Sequence, residues 1–457
     1  MKGALDTLAA ATRVVRGEGV ASAASRARER LSESLRAMAL RSRAAFVRPD
    51  PEREMPILNV SAMRLSARLG GVPVQLAARL RAERSLRNVA LLHPGGLDLS
   101  APSLHTRRGG GDLSSPRGFT DAVRNALAFT GSTAIHLEGM HGIPIASVLS
   151  LAETGVHVVL SLHDFSLFCA RPHLFEMPAQ RFCGYSRDPA RCTACLCHDP
   201  QKDERDEKHN AEPGAGNDDR RALGARLLAA ASGLIFPSRF LLEKHRALFS
   251  LPELSGAVVE PGPHDAVGTV RLADSRPGLA YAGSVKRHKG AHLLPEVIRG
   301  SVRNSSWHIH GGGDEDILRE LRSIPGVTVH GHYRAGALPA LLARDGIGLV
   351  VLPSIVPESY GLVISEAWRA GAAVAAFDLG APAERIGRDG GGFLVPLESG
   401  AAGLADLVNR WSSGDVGDFR AATPASIPSA STAARATVNL YSEWKLMKAA
   451  SGPAGAR

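Results

Sequence analysis

The chain has 457 residues and a formal net charge of +9 at pH 7. Its 44% hydrophobic and 22% charged content is ordinary for a soluble α/β protein of two or three domains. An apolar run of about 18 residues and a signal-peptide core are both missing from the sequence, which predicts a cytoplasmic protein without membrane spans.

The positive charge favours an anionic partner, either a nucleotide or a phospholipid surface. We expect no nucleic-acid partner, because no recognised binding motif accompanies the charge. Residues 1–50 are basic and rich in Ala, Arg and Ser, and Leu31, Leu35 and Met38 recur at helical spacing. This segment is either a basic amphipathic helix resting peripherally on the inner face of an anionic membrane, or a loosely ordered leader.

Apolar runs alternate with helical segments over residues 54–265, which predicts a first Rossmann-like domain with a parallel sheet. Strands are predicted at 56–63, 88–92, 133–137, 157–162, 233–236 and 258–261, and helices at 72–83, 143–154 and 224–231. A glycine-rich loop that reaches Leu113 is predicted after the strand at 88–92. Gly70-Gly71-Val72 opens the first helix. Backbone without side chains at a helix start suits a diphosphate, and a plain turn is the alternative.

Polar side chains follow two of these strands. Glu138 and His141 come after one strand, and His163 and Asp164 after the next. Because the carboxyl ends of parallel strands meet at one edge of a sheet, these residues are candidates for substrate contacts.

All five cysteines lie between Cys169 and Cys197, inside a predicted insertion at 169–222. In a cytosolic protein such clustering indicates metal binding or reduced thiols rather than disulfides. Cys192-x-x-Cys195 forms a chelating pair that Cys169 and Cys183 would complete as a structural zinc site, and free buried thiols are the alternative. The charged stretch 199–221 predicts a solvated loop.

After a linker at 266–277, a second Rossmann-like domain is predicted over 275–425, with a final helix within 430–450 that crosses back to the first domain. Its first strand leads into Gly283-Ser284-Val285-Lys286-Arg287-His288-Lys289-Gly290, and a helix is predicted to follow at 291–298. The cations of this loop suit an anionic ligand, and a solvated basic loop is the alternative.

Residues 346–377 read as a strand, a loop, a helix from Leu362 and a second strand. The helix start at Gly361–Val363 supplies free N–H groups and the positive end of a dipole for a phosphate. Glu358 lies in the loop and Glu366 in the helix. This stretch therefore offers amides for an anion and carboxylates for hydroxyls, as a sugar nucleotide requires.

The stretch P-S-I-V-P-E-S-Y-G-L-V-I-S-E-A around Glu358 and Glu366 resembles the E-x7-E motif of retaining GT-B glycosyltransferases, especially glycosyltransferase family 4. The segment V-H-V-V-L-S-L-H-D-F-S-L-F-C resembles the T-L-H-D-Y-W-x-x-C-P block of that family. The loop before Gly290 resembles G-R-x-x-x-x-K-G, with Lys289 matching and Ser284 standing where the family has Arg.

The resemblance implies a GT-B fold: two Rossmann-like domains with parallel sheets facing a cleft, the donor on the second and the acceptor on the first. It implies transfer of a sugar, with retention, from a nucleotide diphosphate to a hydroxyl of a glycan, lipid-linked or small-molecule acceptor. It also implies that no catalytic metal is needed and, by analogy, a role in polysaccharide biosynthesis. A catalytically inactive GT-B subunit that binds a partner is the alternative.

The resemblance also implies roles for individual residues. The catalytic candidates are His163, Glu358 and Lys289. The donor-binding candidates are Gly70, Gly71, Gly283, Lys286, Arg287, His332, Tyr333, Ser359, Gly361, Leu362, Val363 and Glu366, with Glu366 on the ribose. The acceptor candidates are His141, Asp164 and Glu138.

Overall fold

The computed structural model describes residues 56–63, 71–94, 96–99, 113–198, 216–262, 278–301, 305–416 and 427–447. The predicted leader at 1–50, the linker at 266–277, Gly70 and most of the charged stretch 199–221 lie outside these ranges.

The first half of the described chain builds a seven-stranded sheet in the order β3-β2-β1-β4-β5-β8-β9. All neighbouring strands are parallel except β3, which forms an antiparallel hairpin with β2. The elements in chain order are β1 (Ile57–Val60), α1 (Gly71–Glu83), β2 (Ala90–His93), β3 (Gly96–Leu99), α2 (Pro116–Thr130), β4 (Ala134–Glu138), α3 (Ile145–Glu153), β5 (His157–Ser161), β6 (Phe175–Glu176), β7 (Arg181–Phe182), α4 (Pro189–Cys197), α5 (Asn217–Ala230), β8 (Gly233–Phe236), α6 (Arg239–Phe249) and β9 (Ala257–Val258).

The second half builds a six-stranded, wholly parallel sheet in the order β12-β11-β10-β13-β14-β15. Its elements are β10 (Gly278–Ala282), α7 (Leu294–Gly300), β11 (Trp307–His310), α8 (Glu315–Ser323), β12 (Val327–Gly331), α9 (Leu338–Arg344), β13 (Ile347–Leu352), α10 (Leu362–Arg369), β14 (Ala373–Phe377), α11 (Gly380–Asp389), β15 (Gly392–Val395), α12 (Gly400–Ser413) and α13 (Ala430–Glu443).

The central strands are buried on both faces, which is why they read as continuous apolar runs rather than alternating ones. In β13, Leu349 and Val351 face one core while Ile347 and Val350 face the other. The last helix, α13, packs on the first sheet through Val438 and Tyr441. The Tyr441 hydroxyl lies 2.6 Å from Nδ1 of His136 in β4.

Three local predictions are wrong. The stretch after β2 contains β3, a four-residue strand too short for a periodic signal. Helix α5 begins at Asn217 rather than at 224, with Asp218 and Asp219 favouring its first turn. The helix expected from 291 begins as an α-helix only at Leu294, because two 3₁₀ turns flank the left-handed Gly290. None of the helices in the described ranges has both the length and the apolar character that crossing a bilayer requires.

Candidate functional site

The loops after β10 and β13 touch each other closely. The loop after β10 ends at Gly290 with φ +68°, where an added Cβ would lie 1.6 Å from the carbonyl oxygen of Pro353. This approach brings Lys289 Nζ to 3.2 Å from Oε1 of Glu358, with the two side chains 31% and 19% exposed. The proposed diphosphate cation and the proposed sugar-binding carboxylate therefore form an ion pair at the carboxyl ends of the second sheet.

The start of α11 holds the backbone of Glu358. Ala381 N donates to the carbonyl oxygen of Glu358 at 2.9 Å. Gly380 has φ +71°, and a Cβ there would lie 2.8 Å from the nitrogen of Glu358. Glu358 therefore sits on rigid support rather than on a free loop.

A buried cation that the sequence did not reveal, Arg385 of α11, lies against the beginning of α10. Gly361, with φ +79°, precedes the helix. Arg385 is 1% exposed, donates to the carbonyl oxygen of Gly361 at 2.8 Å and to Ser365 Oγ at 2.7 Å, and stacks 3.9 Å above the ring of Tyr360. Its charge adds to that of the helix N-terminus, so this point favours an anion. In the sequence, an arginine within a polar helical segment does not indicate that its side chain is buried.

Glu366 is buried in the second turn region of α10, at 8% exposed. Burial raises its pKa from 4.5 to about 7, and Arg369 opposes this change. Burial, followed by the nearby Glu366 carboxylate, also raises the pKa of Tyr333. These two donor-binding candidates therefore lie near each other, and a half-protonated carboxyl there can donate or accept a hydrogen bond.

The raised pKa of Glu366 gives a testable dependence of stability on pH. The folded protein holds this proton more tightly than the unfolded chain does, so the stabilisation is complete below about pH 4.5 and is lost as the pH rises to about 7. Across that window the free energy of unfolding of the wild type should fall by an amount on the order of 3 kcal/mol. We expect Glu366→Gln to abolish this fall. Urea unfolding of both proteins at several pH values measures it, and parallel stability curves would contradict it.

On the first sheet, His163 follows β5 and lies beside two polar side chains. Its Nδ1 lies 3.2 Å from Gln75 Nε2, and its Nε2 lies 3.9 Å from Oε2 of Glu138. Glu138 is 3% exposed and forms an ion pair with Arg79. Burial would raise the pKa of Glu138, but Arg79 and then His136 lower it to about 2. Glu138 is thus an ionised group near His163, and its contact with an acceptor stays a prediction.

A second functional candidate missed in the sequence is His173, in the cysteine-bearing segment. Its ring stacks on that of His288 at 4.6 Å, with an interplanar angle of 4°. Desolvation and then Lys289 lower the pKa of His173 although part of its side chain reaches solvent, and Asp164 opposes this change. Among the weaker influences, His141 lowers the pKa and Glu358 raises it. His173 therefore lies where candidates from both sheets meet.

Three further contacts join the loops of the two sheets. Ser238 Oγ, at the start of α6, donates to the carbonyl oxygen of Ser359 at 2.8 Å. A Cβ on Gly71 would lie 2.9 Å from Cδ1 of Leu362, so the start of α1 reaches the start of α10. The carboxylate of Glu384 accepts hydrogen bonds from the backbone nitrogens of residues 239 and 240 and so caps α6.

The other cations of the loop after β10 have partners away from Glu358. Lys286 Nζ lies 2.7 Å from Asp314, and Arg287 Nη2 lies 2.6 Å from Asp316. Both acids stand at the beginning of α8. Lys289 is therefore the cation of this loop that reaches Glu358, and donor contacts of Lys286 and Arg287 stay predictions.

Two other candidates line the neighbouring strand ends: Gly283, with φ +130°, and His332, which packs against Gly312. The last candidate, Val363, is part of α10.

The cysteines make separate contacts. Cys169 Sγ accepts from Asn217 Nδ2 at 3.4 Å, and Cys192 Sγ donates to the carbonyl oxygen of Ser186 at 3.6 Å. In the ranges that the structure describes, no cysteine belongs to a group of three or more converging metal-ligand atoms. The structural zinc at Cys169, Cys183, Cys192 and Cys195 stays a prediction that metal analysis would decide.

Residues 276–413 match the family Glycosyl transferases group 1. No curated protein sequence matches the chain. Among solved structures, the chain is similar to sucrose-phosphate synthase from Thermosynechococcus elongatus, with 16% identity, a TM-score of 0.59, and coverage of 85% of this chain and 98% of that one. It is also similar to the catalytic domain of starch synthase IV from Arabidopsis thaliana bound to ADP and acarbose, with 14% identity, a TM-score of 0.54 and coverage of 86% and 99%.

A third similar structure is HepE of Anabaena in complex with UDP, with 16% identity, a TM-score of 0.50 and coverage of 84% and 95%. The expected α/β architecture of two Rossmann-like domains with parallel sheets is confirmed. The family match across the second sheet and the fold of the described chain together support a glycosyltransferase with the GT-B fold.

Proposed function

We propose that the protein transfers a sugar from a nucleotide-diphosphate sugar to an acceptor hydroxyl with retention of anomeric configuration. The observation that carries this proposal is the ion pair of Lys289 with Glu358 at 3.2 Å beside the stacked rings of His173 and His288. The ion pair brings together the cation proposed to bind the diphosphate and the carboxylate proposed to bind hydroxyls, next to side chains from the loops of the first sheet.

The donor is proposed to lie on the second sheet. Its diphosphate would accept hydrogen bonds at the start of α10, where Arg385 adds positive charge behind Gly361. Lys289 would stabilise the charge that develops on the leaving group. Glu358 would bind hydroxyls of the sugar and Glu366 those of the ribose. Two of the similar structures contain UDP and ADP, which is consistent with a nucleotide donor.

The acceptor hydroxyl is proposed to approach from the side of His163, Asp164 and His141. Retention without a covalent intermediate requires the leaving phosphate to deprotonate the attacking hydroxyl on the same face, as the family resemblance implies. Glu138 is unsuited to act as a nucleophile, because it is buried and paired with Arg79. Glycan, lipid-linked and small-molecule acceptors all present the required hydroxyl, and a basic leader resting on an anionic membrane would favour a lipid-linked one.

A panel of UDP-, ADP-, GDP- and dTDP-sugars tests the donor. We expect one of them to raise the melting temperature, because a ligand at about 100 times its Kd adds about 2.7 kcal/mol of stability. That donor should then support transfer or slow hydrolysis, and NMR of the product should show the anomer of the donor. An inverted product would overturn retention, and donor binding without any turnover would favour the non-catalytic GT-B subunit instead.

A further inference from the structure

A cluster of three histidines and one aspartate lies on one face of the second sheet. His308 and His310 are two residues apart on β11 and project to the same face, which α9 and α10 cover. His330 lies on the neighbouring β12, and Asp345 directly follows α9. None of the four is among the residues proposed to bind the donor or the acceptor.

The four side chains converge to the dimensions of a coordination shell. Each offers one ligand atom within 4.8 Å of all the others. His308 Nδ1 lies 3.0 Å from His330 Nε2, and Asp345 Oδ2 lies 3.3 Å from His310 Nε2 and 3.6 Å from each of the other two nitrogens. Ligands at zinc-like bond lengths in a tetrahedron stand about 3.3 Å apart.

His310 is fully buried, and among the residues that the structure describes neither of its ring nitrogens finds a hydrogen-bond partner. A buried polar group without a partner is destabilising, and its Nε2 faces the carboxylate of Asp345. A neutral imidazole in this position offers one nitrogen lone pair to a metal ion.

Asp345 is held in place from outside the cluster. Arg344 donates to its two oxygens, from Nε at 2.7 Å and from Nη2 at 2.9 Å. A second partner of this kind orients a metal ligand, as in other metal sites.

We propose that His308, His310, His330 and Asp345 bind a divalent transition-metal ion such as zinc. Three imidazoles and one carboxylate are ligands that such ions prefer, whereas magnesium prefers oxygen ligands and keeps its waters. The ion ties β11, β12 and the end of α9 together, so its role is structural support of the second sheet.

The test uses the full chain after dialysis against a chelator, titrated with Co²⁺ and with Zn²⁺. We expect one Co²⁺ to give the visible absorption of a tetrahedral nitrogen and oxygen site, and a near-ultraviolet thiolate band would report separate binding at the cysteines. Zn²⁺ should displace it and raise the melting temperature, and Mg²⁺ should do neither. His330→Asn and Asp345→Asn should each weaken binding at least about tenfold.

His157→Asn is the matched control, because His157 is exposed and lies on the first sheet. Both cluster variants replace side chains that are partly exposed, and circular dichroism checks that each one folds. The proposal is overturned if the wild type binds no Co²⁺, if binding shows only thiolate absorption, or if both folded cluster variants bind as tightly as the control. An equal response to Mg²⁺ would also overturn it.

Discussion

Replacing Lys289 by Met is expected to lower kcat by about 10²–10³-fold, the usual cost of removing one preorganised group that stabilises developing charge. The diphosphate gains negative charge as the glycosidic bond breaks, so the loss should fall on kcat more than on donor affinity. Glu358→Gln should cause a loss at least as large, because Glu358 is proposed to bind the donor sugar and is also the partner of Lys289 at 3.2 Å. Initial-rate kinetics with the donor found in the panel measure both.

The exposed ion pair of Arg322 with Glu315 on α8, at 2.6 Å, supplies the matched control. Arg322→Met and Glu315→Gln remove an exposed ion pair on α8, and each should leave kcat within about twofold of the wild type, since exposed pairs contribute little. Near-normal kcat for Lys289→Met and Glu358→Gln would contradict the proposed roles. The melting temperatures of all four variants separate loss of chemistry from loss of folding.

Gly290→Ala is expected to destabilise the protein by more than about 3 kcal/mol and to abolish activity, because a Cβ at this position would lie 1.6 Å from the carbonyl oxygen of Pro353. Such an overlap forces apart the loops after β10 and β13, and with them Lys289 and Glu358. Thermal unfolding and the transfer assay report the two effects.

Gly131 is the matched control for this substitution. It has the same φ of +68°, and a Cβ there would meet no atom within 4 Å. Gly131→Ala should therefore show only the backbone cost of the left-handed conformation, about 1–2 kcal/mol, with activity retained. Equal losses in the two variants would mean that the contact with Pro353 is unimportant.

The local sequence pattern was sufficient to predict much of the secondary structure in the second half of the chain. The apolar run of β13, the helix α10 after a glycine and the carboxylates at positions 358 and 366 were predicted because each depends on neighbouring residues. The same reasoning failed for β3, which is short, and for the region after Gly290, where a close approach between loops breaks the helix into 3₁₀ turns.

The sequence by itself determined the alternation of strands and helices, the parallel sheets and the two loops that supply Lys289 and Glu358. Only the tertiary structure decided that His173 stacks on His288, that Arg385 lies behind the start of α10, and that three other side chains converge on His310. The physical reason is that helical and strand periodicity reports which face of an element is buried. Which residues become neighbours on that face depends on the strand order and on how closely the loops pack. Both are set by contacts between residues that are distant in the chain.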